Sequence, residues 1–149
     1  MSDKKFTFKE CKTESEINDI YNFNVQAFAD SHDFAWTADN IKNELENGWI
    51  LYALKSNKDV ICALFVKREK NMLLTKNTPI KMNYQGQGHS HTIKEFYESI
   101  ARKAGVKELY NYSPVDNFRM ISLNEGHGYK KTGKTLSGNQ ELIEWVKTV

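Results

Sequence analysis

Ile80-Lys81-Met82-Asn83-Tyr84-Gln85-Gly86-Gln87-Gly88-His89-Ser90 is the stretch whose reading decides the fold. Its two glycines stand close behind an apolar, extended segment. After them Ile93, Phe96, Tyr97, Ile100 and Ala104 recur at i, i+3, i+4, i+7 and i+11, the spacing of one apolar helix stripe. Gly105 stands where a left-handed C-terminal cap is wanted. The expected order is strand, glycine-rich turn, then a helix over 91–104. Such a turn lets backbone N–H groups approach a ligand, and the N-terminus of a helix favours anions. Two readings fit the glycines alone: a phosphate or pyrophosphate cradle, and an ordinary strand–helix connection.

Working upstream, Met72 to Met82 reads as a strand interrupted by Pro79, which suits an edge, a bulge or a strand end. Trp49 to Leu54 and Val60 to Val66 are compact apolar runs joined by Asn57-Lys58-Asp59, a β-hairpin. Thr37 to Leu45 is a short helix closed by Asn47-Gly48, and Asp30 to Trp36 is a loop of polar and aromatic residues. Phe6 to Cys11 alternates as a first strand. Thr13 with Glu16 three residues on is a capping-box signature for a helix from Glu14 toward Phe28. Downstream, Lys107 to Tyr112 is a strand and Asn117 to Asn124 a short helix. Tyr129 to Thr132 and Gln140 to Val146 are the last strands.

The order is β-α-α-β-β-β-α-β-α-β-β. The hairpins make the early strands antiparallel, and the helix over 91–104 joins two parallel strands by the right-handed crossover rule. An α/β fold follows, with a mixed sheet and helices on both faces.

At 149 residues the chain reads as one domain, 1–149, able to bury a core without staples. A net charge of +2 with dispersed lysines argues against a nucleic-acid partner. No window reaches the roughly 18 apolar residues of a membrane helix. Met-Ser-Asp-Lys-Lys-Phe lacks the apolar core of a signal peptide, so a cytoplasmic protein is expected. Cys11 and Cys62 fit no CxxC spacing and sit in strand-like surroundings, which points to buried free thiols.

The element order and the glycine loop resemble the GCN5-related N-acetyltransferase (GNAT) superfamily over nearly the whole chain. The coenzyme motif of that family, Arg/Gln-x-x-Gly-x-Gly/Ala, is matched by Gln85-Gly86-Gln87-Gly88-His89-Ser90, with Tyr84 before it. Its second signature, an Asn opening the helix after the fifth strand and a Gly-Phe or Gly-Tyr pair before the sixth, is matched by Asn117 and Gly128-Tyr129. The resemblance implies a mostly antiparallel sheet with parallel fourth and fifth strands that splay apart. It implies acetyl-CoA as co-substrate, its pyrophosphate held by the backbone of Gln85, Gly86, Gln87, Gly88, His89 and Ser90. The backbone of Ile80, Lys81 and Met82 pairs with the pantetheine arm, and Asn117 touches the coenzyme from the fifth strand's side. The acceptor, a small-molecule or protein amine, is expected near Asp30, His32, Phe34 and Trp36, where the alternative is a plain surface loop.

The chain departs from the family in its proton-handling residues. The usual general-acid Tyr is replaced by Asn124, and an amide cannot protonate a thiolate. Residues 71–82 contain no carboxylate to serve as the usual base. Tyr84, Tyr112 and Glu125 are the substitutes on offer, with catalysis by proximity alone as a further route. His89 and His91 resemble an HxH pair but lack a third ligand at suitable spacing, so no metal is expected. Exposed final strands leave room for a homodimer.

Three functions compete. An acetyl-CoA-dependent N-acetyltransferase leads. A non-catalytic acyl-CoA-binding or regulatory module is favoured slightly by Asn124. A glycine-rich nucleotide-binding α/β protein is weakened by the lack of a Walker lysine and of a ribose-binding acid.

Overall fold

The computed structural model describes residues 6–28, 38–57, 59–77, 80, 84, 86–116, 118–136 and 141–149. The elements follow in the expected order: β1 (Phe6–Cys11), α1 (Glu14–Phe28), α2 (Ala38–Glu46), β2 (Ile50–Ser56), β3 (Asp59–Glu69), β4 (Met72–Asn77), α3 (His89–Ala104), β5 (Glu108–Pro114), α4 (Phe118–Gly126), β6 (Lys130–Leu136) and β7 (Leu142–Thr148). They form one seven-stranded sheet in the order β1-β2-β3-β4-β5-β7-β6. The β1–β2, β5–β7 and β6–β7 pairs are antiparallel and β4–β5 is parallel. The fold class is therefore the mixed α/β arrangement that the sequence leads one to expect.

Several boundaries differ from expectation, most of them by one to three residues. β4 ends at Asn77 rather than Met82, so Ile80 stands beyond it. α3 starts at His89, two residues early, because Gly88 at φ 83° supplies the turn into the helix. β6 runs on to Leu136, with a register shift against β7 between Lys131 and Thr135.

The chain divides into two compact units. One gathers Met1–Phe65 with Asn77–Gln87, the other Val66–Lys76 with Gly88–Val149. The first has an apolar cluster of Cys11, Ile17, Ile20, Ile41, Leu51, Ala53, Val60, Ala63 and Phe65, with Leu45 and Trp49 packed on its margin, and Ser56 is its buried polar residue among those described. Cys11 and Cys62 are both buried free thiols. The capping box forms as the sequence pattern demands. Glu16 accepts from the Thr13 backbone N–H at 3.0 Å, and Thr13 Oγ1 accepts from the Glu16 N–H at 3.2 Å. These donors, led by the Thr13 N–H, hold the Glu16 carboxyl down to about 2.

The second unit has a different interior. Leu73, Ile93, Tyr97, Ala101, Val106, Leu109 and Trp145 are buried, but so are Thr75, Lys94, Asn111, Ser113 and Asn124. On α3 the buried face is Ile93, Lys94, Tyr97 and Ala101, while Phe96, Ile100 and Ala104 of the expected stripe are half-buried. A lysine has taken a place where the apolar pattern predicted none.

Candidate active site

The parallel β4–β5 ladder pairs Met72 with Glu108, Leu73 with Leu109 and Leu74 with Tyr110, and goes no further among the described residues. Both strands continue, so they part after Leu74 and Tyr110. Side chains take over the polar groups left at the parting. Thr75 Oγ1 donates to the Tyr110 carbonyl at 2.6 Å, and Tyr97 Oη donates to the Lys76 carbonyl at 3.2 Å. Asn111 Nδ2 donates to Thr75 Oγ1 at 3.2 Å, and Asn124 Nδ2 reaches Asn111 Oδ1 at 3.5 Å. Asn124 is thus fully buried at the end of a hydrogen-bonded chain, and its Oδ1 finds no hydrogen-bond partner.

The turn ahead of α3 has the backbone of an anion cradle. Gly86 and Gly88 lie at φ 77° and 83°, a region that L side chains rarely adopt. A Cβ at either position would meet nothing within 4 Å, so the space over the turn is open. No side chain caps the start of α3, and its first turn carries no carboxylate. Among the described residues no capping side chain and no first-turn carboxylate answers the positive end of the helix dipole. Gly86, Gln87 and Gly88 are exposed, Ser90 is half-buried and His89 is buried, where burial lowers the proton affinity of its imidazole.

Behind this turn stands a cluster the sequence did not announce. Lys94 is 2% exposed, and its Nζ has no hydrogen-bond partner. It lies 4.6 Å from the centre of the buried Tyr129 ring, a cation–π approach. Burial, with Lys147 adding repulsion, brings the Lys94 amine down to about 7. Lys147 pairs with Glu98, which also meets Arg102 at 3.8 Å. His91 Nδ1 and His127 Nε2 are 2.7 Å apart and share a hydrogen bond. Burial, then His91, keeps the His127 imidazole below its ordinary proton affinity. The HxH pattern of His89 and His91 thus resolves into a different pair, His91 with His127. No group of three or more His, Cys, Asp and Glu among the described residues is placed to hold a metal ion.

On the opposite face of β5 and β7, Tyr112 Oη donates to Glu144 Oε2 at 3.0 Å, and Thr132 Oγ1 donates to Glu144 Oε1 at 3.0 Å. Burial and then the Glu144 hydrogen bond push the Tyr112 phenol well above its ordinary range. Tyr112 is among the candidates the sequence offers, whereas Glu144 and Thr132 are not. Their one sequence signal is a lone Glu within the apolar run Leu142-Ile143-Glu144-Trp145-Val146. Of the other candidates, Glu125 is exposed on α4. In the first unit Tyr84 Oη donates to Asp59 Oδ2 at 3.0 Å. Lys81, Met82, Gln85, Asn117, Asp30, His32, Phe34 and Trp36 lie outside the described residues.

No protein-family model matches the sequence, and neither does any curated protein. Solved structures do match. The ribosomal-protein-S18-alanine N-acetyltransferase of Escherichia coli superposes with a TM-score of 0.79 at 17% identity, over 97% of this chain and 94% of that one. A GNAT family acetyltransferase from Elizabethkingia anophelis with acetyl-CoA bound gives 0.73 at 15% identity, over 99% and 100%. A spermidine N-acetyltransferase chimera from Vibrio cholerae and hSSAT gives 0.73 at 14% identity, over 95% and 95%. At such identities the likeness is one of fold, and the chain has the GNAT acyltransferase fold.

Proposed function

We propose that this chain, on its GNAT fold, is an acetyl-CoA-dependent N-acetyltransferase that transfers the acetyl group to a primary amine. The observation that carries the reading is the uncapped N-terminus of α3 behind Gly88, with open space over the glycines. Fixed backbone donors and a positive dipole end suit two phosphates, and among the described residues no carboxylate of the first turn and no capping side chain competes there. The parting of β4 from β5 after Leu74 supports it, because an extended pantetheine arm needs unpaired strand edges to pair with. Acetyl-CoA supplies the activated acyl carbon and a thiolate leaving group. The chain's part is to hold the coenzyme and orient the amine. Orientation alone supplies about 7–11 kcal/mol in the best cases.

Gly88→Trp tests the reading. The substitution forces a bulky residue into a left-handed backbone and fills the open space. Acetyl-CoA binding, read by thermal shift, should be lost while the far-ultraviolet spectrum is kept. Unchanged affinity would place the cradle elsewhere. Stabilisation of the native protein by ATP or NAD but not by CoA would remove the reading altogether.

One observation keeps a second reading alive. Asn124 fills the acid's place and is buried in a hydrogen-bonded chain, as a protein that binds acyl-CoA without turning it over could have it. Release of free thiol from acetyl-CoA over a panel of amines decides between them. The panel should include spermidine and a peptide beginning with alanine, the acceptors named for two structural neighbours.

A further inference from the structure

We propose that Tyr112 and Glu144 form the proton relay of the transfer reaction, with Glu144 also seating the ammonium of a cationic acceptor; this rests on the acetyltransferase reading above. The two residues stand directly opposite in the β5–β7 register. Tyr112 lies two residues past Tyr110, the last β5 residue paired to β4, so the dyad borders the parting. Its side chains point to the face opposite Asn111 and Trp145, since neighbours alternate along a strand.

Glu144 is the unusual member. The residue is 8% exposed, and both of its carboxylate oxygens accept hydroxyl hydrogens. Yet no ion pair reaches it among the described residues. Lys67 on β3 pairs with Glu69 at 3.3 Å, Lys147 pairs with Glu98, and Lys131 lies 5.6 Å over the Trp145 ring. Glu69, Glu108 and Tyr110 also act on this face, and the exposed Lys130 of β6, opposite Val146, is the cation at its margin, without an ion pair to Glu144. A buried carboxylate without a counter-charge costs several kcal/mol. A primary ammonium would offset that cost, and the surrounding negative potential would draw it in.

The proton account closes within the pair. Glu144 accepts one proton from the ammonium, leaving a neutral amine to form the new C–N bond. As the C–S bond breaks, Tyr112 Oη gives its proton to the sulfur. Glu144 then returns its proton to Tyr112 along the 3.0 Å hydrogen bond, which lies within proton-transfer distance. The second excess proton on nitrogen leaves to solvent as the amide forms. Tyr112 is suited to this role because it stays protonated at neutral pH. Glu144 needs no cation of its own because the acceptor brings one.

The test uses the full chain, with spermidine as the amine probe and acetyl-CoA titrated separately by calorimetry. Spermidine should bind the native protein and bind Glu144→Gln at least about tenfold more weakly, with acetyl-CoA affinity within about twofold in both. Equal spermidine affinity in the two, or none in the native protein, overturns the inference. So does a native protein that binds spermidine and leaves it unacetylated. Loss of acetyl-CoA affinity in the native protein overturns the acetyltransferase reading instead. In rate measurements Glu144→Gln should be slower by roughly 100-fold or more at pH 7, recovering at least about tenfold by pH 9.5 as free amine accumulates. Tyr112→Phe should lose rate without that recovery, and serves alone if Glu144→Gln does not fold. A Glu144→Gln loss that is flat with pH marks a structural role and also overturns the inference.

Discussion

The two faces of β5 and β7 use the same strands for opposite ends. One face carries Asn111, Ser113 and Trp145, the other Tyr112 and Glu144. On the first, the polar groups are neutral and bond to one another, Asn124 Oδ1 excepted. Trp145 Nε1 donates to Ser113 Oγ at 2.9 Å, and Asn111 bridges Thr75 and Asn124. On the second, a charge is buried with hydroxyl donors only. Neutral, mutually bonded polar groups hold a shape, here the parting of β4 and β5. A charge left without its counter-charge asks for a ligand. Burial alone does not separate structural polar residues from chemical ones. The state of their partners does.

The largest effect that would sharpen this contrast lies at Lys94, which breaks the rule for its own face. Its amine titrates near 7 when folded and near 10.5 when unfolded. Between those values the unfolded chain binds more protons, so stability rises as pH rises through the window and is lowest below it. Lys94→Met removes the amine and keeps the stem. It should stabilise the protein by about 2–4 kcal/mol at pH 7, with the gain shrinking toward pH 10. Chemical denaturation across that range checks both size and slope. A destabilised Lys94→Met at pH 7 would mean the amine has a partner that burial and ring geometry do not reveal.

Asn111 comes next. Replacing it with Ala strands Thr75 Oγ1 without its donor and Asn124 Nδ2 without its acceptor in a buried setting. Each buried polar group left unmade costs about 1–3 kcal/mol, so a loss of roughly 2–4 kcal/mol is expected. Spermidine affinity should stay within about twofold, because the amine is assigned to the other face. A loss of amine affinity as large as that of Glu144→Gln would erase the distinction between the faces.

How much of this was legible in the sequence follows the range of the interactions. The element order, the capping box at Thr13 and Glu16, and the glycine turn into α3 are local patterns, and the chain writes them out. The parallel β4–β5 pair followed from a crossover rule that needs only element order. Lys94 was invisible because helical periodicity sorts residues by type, and a lysine beside Ile93 reads as solvent-facing. The Tyr112–Glu144 pair was invisible for another reason. Its members are 32 residues apart, and only the β5–β7 register, set by pairing and not by either strand's own pattern, brings them together. The burial of Asn124 against Asn111 is of the same kind, since it depends on how α4 packs.

Asn124→Ala is the smallest of these effects and the one that bears hardest on the contrast. The substitution removes a long hydrogen bond of 3.5 Å and, with it, a buried carbonyl oxygen that has no hydrogen-bond partner. Losing the bond costs about 0.5–1.5 kcal/mol, while losing the orphan acceptor relieves a desolvation penalty of similar size. A net change within about 1 kcal/mol follows. Asn124 caps the neutral chain and touches none of Tyr112, Thr132 or Glu144 among its hydrogen bonds, so acetyl transfer should stay within about twofold of native. Thiol release, measured beside thermal unfolding, reads both. A tenfold fall in rate with stability intact would put chemistry on the Asn111 face and reverse the assignment of the two faces.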